Sequence, residues 1–415
     1  MPIAAELERR QGTRGIFLPG ALALLALLSA CTDPAKTGPA ADEPTARRGS
    51  YSKAEGDSTA VPARELDPET LQNMAGLLAG TAPADAKLAP AWAAHRAEME
   101  KVWARIEPRL NGMSQWSRQE LVKLPASEAP VFYPFGGPDL FAILNLFPDA
   151  SSFILVGLEA PGRLPMPEDT EKASLEEDLA RLRKPFESMA DSGYFVRTQI
   201  DQELSGGHFD GLLPILLIAL ARAGQVPEAV QYVRLDPQTG QLVGLEPSAA
   251  TAGAVRILFR PASGKGKLRS VFYYAQDLSN DGVFPDSGFY HMIEKLGTIN
   301  VFIKSGEYLC HTDAFSNLRK LILDRSEMVL EDDSGIPLRF FTSDRWTVEL
   351  FGHYEDVLAA YKNWFQEDLA AAYKRLEKER PLPFAAGYQT AVSGGCLILA
   401  HRKNGLQPAR REIER

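Results

Sequence analysis

The stretch from Tyr133 to Glu159, YPFGGPDLFAILNLFPDASSFILVGLE, constrains the fold more than any other part of the chain. It contains an apolar strand, a glycine turn, a short helix that ends at Pro148-Asp149, a second apolar strand and a closing acid. Strands that alternate with helices over short links pair in parallel, with the helices on the faces of the sheet. The turn Gly136-Gly137-Pro138-Asp139 and the acid Glu159 are therefore expected at the carboxyl ends of two parallel strands.

The same alternation recurs later in the chain. The pattern predicts that four strands are neighbours in one sheet, namely Val131–Phe135, Phe153–Leu158, Val271–Ala275 and Ile299–Lys304. It also predicts an antiparallel edge strand within WTVELFGHY and a long helix over Glu355–Arg380. We therefore predict an α/β fold with a three-layer, Rossmann-like, mainly parallel sheet, helices on both faces and an antiparallel edge.

The N-terminus has the pattern of a secretory leader, with a basic start and an apolar run, Ile16–Ala30, that ends in LLSAC. The run is shorter than the roughly 20 apolar residues needed to span a bilayer. Leu28-Ser29-Ala30-Cys31 resembles the bacterial lipobox, which implies that Cys31 is lipidated and anchors the mature chain to a membrane. The alternative is an ordinary leader with a chance cysteine.

The chain after Cys31 is rich in Pro, Ala, Ser, Thr and charged residues and has few apolar side chains to bury. Such a composition is typical of a disordered tether. Thr32 follows the cysteine, and by resemblance to sorting in proteobacterial lipoproteins this favours the outer membrane, so we expect the protein in the cell envelope, outside the cytoplasm. The expected divisions are a signal peptide (1–30), a tether (31–85), an N-terminal helical segment (86–130), an α/β domain (131–400) and a charged tail (401–415). The helix of the N-terminal segment is expected to end near Gly112.

Charge and cysteine content exclude several functions. The net charge is −9, and no block of Lys and Arg is present, so nucleic acid is not an expected partner. Cys310 and Cys396 could form a disulfide outside the cytoplasm if their Cα atoms lie within about 7 Å, and the alternative is two separate buried thiols. The chain has no CxxC and no paired His/Cys spacing, so structural zinc is not expected.

Two resemblances bear on identity. A glycine-bearing first turn, an acidic end to the second strand and an antiparallel pair near the C-terminus resemble class I methyltransferases, although the turn lacks the GxGxxG spacing. The motifs YPFGGPD, FPDAS, LVGLEAPG and DDSGIPLRFF, together with LSAC, resemble a family of bacterial envelope lipoproteins that has no assigned activity. The second resemblance implies a location and a shared shape but no chemistry.

Several clusters of polar residues are candidate sites. Ser205-Gly206-Gly207-His208, with Asp201 and Asp210 nearby, combines a hydroxyl with an imidazole, but residues so close in sequence rarely form a catalytic triad. Asp332-Asp333-Ser334-Gly335 is acidic enough for calcium, yet a β-turn explains it more simply. No metal is expected. Nucleotide cofactors are cytoplasmic, so none is expected either.

A ligand in an open α/β sheet binds beyond the carboxyl ends of the strands. The residues expected there are Tyr133, Gly136, Gly137, Asp139, Glu159, Asp277 and Asp281. Aromatic and polar groups on one rim suit a small polar ligand such as a sugar or a peptide. The sequence thus indicates a lipid-anchored binding or structural protein of the envelope. The alternatives are a cofactor-free, hydrolase-like enzyme and a methyltransferase-like fold that retains a ligand site.

Overall fold

The computed structural model describes residues 66–82, 90–124, 128–171, 173–205, 207–245, 253–388 and 395–403. The signal peptide, Cys31, and most of the expected tether and tail lie outside these residues. In the ranges that are described, no helix is both long and apolar enough to cross a membrane.

Ten strands in the described part of the chain form one sheet, in the order β4-β3-β5-β6-β2-β1-β7-β8-β10-β9. They are β1 (Val131–Tyr133), β2 (Ser152–Gly157), β3 (Gln225–Leu235), β4 (Leu242–Gly244), β5 (Ala254–Pro261), β6 (Arg269–Ala275), β7 (Ile299–Ile303), β8 (Ser326–Glu331), β9 (Trp346–Gly352) and β10 (Cys396–Arg402). The four strands predicted to be neighbours are β6, β2, β1 and β7, which are adjacent and parallel. That prediction is confirmed.

The sheet is mixed rather than mainly parallel. Strand β8 extends the parallel centre, but β10 is antiparallel to both β8 and β9. On the other side, β3, β4 and β5 add antiparallel strands next to β6. Strand β4 forms the edge of the sheet, and β3 lies between β4 and β5, so the three strands do not lie side by side in chain order.

Nine α-helices accompany the sheet in the described residues. They are α1 (Pro68–Ala79), α2 (Pro90–Glu120), α3 (Leu140–Leu146), α4 (Leu175–Ser192), α5 (Arg197–Glu203), α6 (Leu213–Arg222), α7 (Gly288–Lys295), α8 (Ser316–Arg325) and α9 (Glu367–Lys374). Helix α1 falls within the range expected to be a tether. Asp67 caps it by accepting the Thr70 N–H at 3.0 Å, and Leu71, Met74 and Leu78 are buried. The tether prediction therefore extended too far toward the C-terminus.

Two other helix predictions were wrong at their ends. Helix α2 continues past Gly112, where a Cβ atom would lie 2.5 Å from the Pro383 carbonyl oxygen. That glycine serves close packing rather than helix termination. The helix expected over Glu355–Arg380 is a 3₁₀ turn at Ala359–Trp364 followed by α9. Between them, Gln366 is buried and non-helical, and its N–H donates to the Tyr354 hydroxyl at 2.9 Å.

Side chains of the central strands alternate between two hydrophobic clusters. Val131 and Tyr133 of β1 lie in a cluster that includes residues of α1 to α4 and α6, whereas Phe132 lies in a cluster that includes residues of α7 and α8. A third, smaller cluster joins α9 to β9 and β10. Cys310 belongs to the second cluster and Cys396 to the third, and both are free buried thiols. The disulfide that the sequence left open is not formed.

Candidate functional site

The carboxyl ends of β1, β2, β7 and β8 meet at one edge of the sheet because these strands are parallel. Four non-glycine residues in the described chain have a positive φ, and all four follow these strands: Phe135, Ser305, Glu307 and Tyr308. A left-handed conformation costs a non-glycine residue roughly 1–2 kcal/mol. Such residues concentrate at functional sites, so this edge is the candidate site.

The glycine turn after β1 is packed against the protein. A Cβ atom on Gly136 would lie 2.6 Å from the Tyr133 ring. Gly137 has φ +48°, and its N–H donates to the Val156 carbonyl at 3.0 Å. The Asp139 and Leu140 N–H groups donate to carbonyls of the turn itself. Pro138 has no N–H, so little of this backbone remains to bind an anion.

Asp139 is buried at the start of α3 and forms an ion pair with Lys304, which follows β7. The carboxylate also accepts the Ala142 N–H at 3.4 Å and the Tyr133 hydroxyl at 3.3 Å. Lys304 donates in addition to the Gly193 carbonyl at 3.0 Å. Burial and the nearby Asp139 raise the pKa of Tyr133 well above its ordinary value. Tyr133 thus lies beneath the turn and is only 1% exposed, so it does not line an open pocket.

Glu159, after β2, is 8% exposed. Its Oε2 accepts the Leu158 N–H at 3.0 Å and lies 3.5 Å from the Tyr273 hydroxyl. Its Oε1 is 3.9 Å from Nε of Arg197, which is partly exposed. Burial raises the pKa of Glu159, while the adjacent backbone N–H groups and Arg197 oppose that rise.

Three partly buried tyrosines form what we call the aromatic rim: Tyr194, Tyr361 and Tyr388. The Tyr388 ring lies 5.2 Å from that of Tyr194 and 5.1 Å from that of Tyr361. Its hydroxyl donates to the Ser305 carbonyl at 2.8 Å and accepts the Glu307 N–H at 3.0 Å. The Glu307 carboxyl reaches the surface, but loss of hydration raises its pKa, with Arg197 opposing and Glu159 adding to the rise.

Sequence reasoning missed the aromatic rim, Arg197 and Lys304. The tyrosines come from different segments that only the tertiary fold brings together. Glu307 was not missed, because the polar link SGEYL after an apolar strand places it at a strand end.

Asp277 and Asp281 do not join the other predicted site residues. Both are exposed, and Asp277 accepts the N–H and the hydroxyl of Ser279, each at 2.8 Å. In the described chain, no hydrogen bond or ion pair connects either aspartate to Asp139 or Glu159. This loop is a local turn.

Asp332 and Asp333 form a buried junction after β8. Asp332 accepts the Ser305 N–H at 2.7 Å, and Asp333 accepts the Tyr308 hydroxyl. The Asp333 carbonyl accepts Nε2 of Gln366 at 3.0 Å. Burial, and to a lesser degree the charge of Asp332, raise the pKa of Asp333 from 3.8 to about 7. Across the residues that can be described, no group of three or more His, Cys, Asp and Glu could hold a metal ion.

His208 has partners other than those considered from sequence. Its Nδ1 lies 2.9 Å from Asp178 Oδ2 and 3.2 Å from Ser174 Oγ, and Ser174 donates to the same Asp178 oxygen at 2.8 Å. The Ser205 carbonyl instead accepts a hydrogen bond from the Arg181 guanidinium at 2.8 Å. In a catalytic triad the serine and the acid contact opposite nitrogens of the imidazole. Here both contact Nδ1, so the geometry does not activate Ser174.

Two cavities of the described chain lie away from the candidate site. One, of about 470 Å³, is at the amino ends of β7 and β8, and the other, of about 270 Å³, is lined by residues of β3, β4 and β5. Comparison with protein families, with curated proteins and with solved structures found no match. The site is therefore interpreted from its own geometry.

The ion pair between Lys304 and Asp139 is testable by mutation. Lys304→Met leaves a buried carboxylate without its counter-ion, so we expect the free energy of unfolding to fall by about 3–5 kcal/mol in urea denaturation. Combining it with Asp139→Asn removes the uncompensated charge and should recover part of that loss. Lys320→Met, which removes an exposed partner of Asp324, is the control and should change stability by less than about 1 kcal/mol. Equal losses in the two lysine variants would contradict the assignment.

The raised pKa of Asp333 predicts a pH dependence. The folded protein binds the Asp333 carboxyl proton more tightly than the unfolded chain does. This proton therefore makes its whole contribution to the stability of the fold below about pH 4, and that contribution is lost as the pH rises through about 7. Urea denaturation from pH 4 to 8 should show a smaller fall in stability for Asp333→Asn than for the wild type. The exposed Asp281→Asn should follow the wild-type profile. Parallel profiles for wild type and Asp333→Asn would exclude this role.

Proposed function

We propose that the chain is a lipid-anchored protein of the cell envelope whose α/β domain binds a small polar ligand and no nucleotide. The claim that no nucleotide binds rests on the closed turn after β1, where the ion pair of Asp139 and Lys304 occupies the position that a cofactor would need. The claim of a lipid-anchored envelope protein rests on the leader and the LLSAC motif alone.

The proposal includes a Rossmann-like, three-layer arrangement related to class I methyltransferases. Seven strands in the order β6-β2-β1-β7-β8-β10-β9, with one antiparallel strand inserted near the end, support this resemblance. Strands β3, β4 and β5 are then an insertion. Because the two hydrophobic clusters contain different helices, they are consistent with helices on both faces.

The closed turn argues against a nucleotide on electrostatic grounds. A phosphate or carboxylate group at the start of α3 would meet the carboxylate of Asp139 and would compete with it for Lys304. Removing one partner from a buried ion pair costs about 3–5 kcal/mol. The Gly137, Asp139 and Leu140 N–H groups already have acceptors in the protein. A nucleotide would therefore have to break contacts before making its own.

Glu159 is also poorly placed to hold a ribose. Glu159 is buried and its Oε2 already accepts the Leu158 N–H, so little of the carboxyl is accessible to the two hydroxyls of a sugar diol. Gly157 beside it leaves no space, since a Cβ atom there would lie 2.6 Å from Oε2 of Glu159. Its Oε1 instead lies 3.9 Å from Nε of Arg197.

The accessible groups at this edge suit a small polar ligand. The aromatic rim offers ring faces, and Glu307 and Arg197 offer one acidic and one basic group near it. Ligand sites combine an apolar or aromatic surface with a few such polar groups. A sugar or a short peptide fits this chemistry. The hydrolase alternative has less support, because the Ser174–His208 geometry lacks the required arrangement.

Thermal unfolding with added ligands tests the ligand class. NAD, ATP and S-adenosylmethionine should leave the melting temperature unchanged, whereas members of a panel of sugars and short peptides should raise it saturably. Tyr194→Ser, in the aromatic rim, should abolish that rise, and Phe284→Ser, at an exposed phenylalanine elsewhere, should not. A saturable shift of several degrees with any of the three nucleotides would restore the methyltransferase-like alternative.

Metabolic labelling with palmitate tests the anchor. We expect the wild-type chain to be labelled and to sediment with membranes, and Cys31→Ala to lose the label. Cys396→Ala is the control and should be labelled like the wild type. Equal labelling of wild type and Cys31→Ala, or an entirely soluble wild type, would contradict the anchor.

A further inference from the structure

The cavity of about 470 Å³ opens at the edge of the sheet opposite the candidate site. Its walls come from the C-terminal end of α2, the turn after α3, the amino ends of β7 and β8, and the end of β10. Small-molecule sites typically measure about 300–1,000 Å³. The cavity is therefore large enough for a small molecule, and nothing in the proposed function uses it.

The lining is mainly apolar. Leu121, Leu146, Phe147 and Met328 are buried side chains that line it. Val122, at its margin, is 62% exposed, more than any other large hydrophobic side chain in the described residues. Apolar side chains exposed beside an apolar cavity favour a ligand that covers them with hydrocarbon.

The charged groups at the cavity are mostly basic. Arg118, Lys123 and Arg402 line it, against Asp149 and Glu327. His401 also lines it, and its Nε2 lies 3.5 Å from Glu349. Arg402 is engaged in the protein, because its guanidinium donates to the Ser326 and Leu323 carbonyls, each at 2.6 Å. Arg118 is exposed, and no ion pair involves it within the described residues. Lys123 is 70% exposed and lies 3.9 Å from Glu120, at the limit of an ion pair.

Arg118 and Val122 are four residues apart and lie on the same side of the end of α2 and the turn that follows it. A cationic group thus sits beside an exposed apolar one at the mouth of an apolar cavity. We propose that this cavity binds a single-chain amphiphile with an anionic head, its chain against Leu121, Phe147 and Met328 and its carboxylate or phosphate at Arg118 and Lys123.

Calorimetric titration tests the ligand class with three probes of equal chain length, each below its critical micelle concentration: dodecanoate, dodecyl phosphate and dodecyltrimethylammonium. The full chain carries Cys31→Ala, so that no attached acyl chain competes. We expect saturable one-to-one binding of at least one anionic probe, at least about tenfold tighter than the cationic one. The ratio between dodecanoate and dodecyl phosphate assigns the head group. Equal binding of the cationic probe would overturn the proposal.

Two surface substitutions test the location. Val122→Asp and Arg118→Glu should each weaken binding of the anionic probe about tenfold or more. Both residues are exposed, so folding should be preserved, which circular dichroism checks. Leu268→Asp and Arg375→Glu change an exposed leucine and an exposed arginine outside the cavity and should bind like the parent chain. Unchanged binding in either cavity variant would overturn the proposed site.

Discussion

The buried ion pair between Asp139 and Lys304 determines what the carboxyl edge of the sheet can do. Burying two charges is expensive unless further hydrogen bonds offset the lost hydration. Here Asp139 also accepts hydrogen bonds from the Tyr133 hydroxyl and the Ala142 N–H, and Lys304 also donates to the Gly193 carbonyl. The pair thereby connects the turn after β1, the end of β7 and the residue after α4. An anion that binds at this turn would have to break the ion pair and these hydrogen bonds.

Residues at the same edge have strained backbone conformations, and hydrogen bonds to side chains stabilise them. Ser305, Glu307 and Tyr308 all have positive φ. Their segment is fixed because Asp332 accepts the Ser305 N–H at 2.7 Å, Ser334 accepts the Gly306 N–H at 2.7 Å, and Tyr388 accepts the Glu307 N–H. Strain of this kind persists where surrounding contacts enforce it, and it is common at binding sites. It presents Glu307 beside the aromatic rim, which is why we place the polar ligand there.

Much of the fold could be predicted because apolar runs and short links determine which strands pair. The central strands, the first helix of the sheet and the edge strand β9 follow from such patterns. Helix α1 and the break before α9 did not follow from such patterns. At that break, the tertiary hydrogen bonds of the buried Gln366 outweigh helical periodicity. In the site, Asp139 and Glu159 could be located from strand ends. Lys304 lies 165 residues from Asp139 in sequence, and no spacing rule links two such residues before the fold is known.

Apolar burial stabilises the sheet and is compatible with the closed turn after β1. The apolar side chains of β1, β2 and β7 divide between two hydrophobic clusters, and Tyr133 of β1 also contacts the turn. Apolar burial is roughly proportional to area and is indifferent to what binds at the strand ends. A lysine after β7 and an aspartate at the start of α3 therefore form a buried ion pair at the strand ends without loss of apolar burial. We place the proposed binding surface on the segments outside the strand ends, which carry Tyr194, Glu307 and Tyr388.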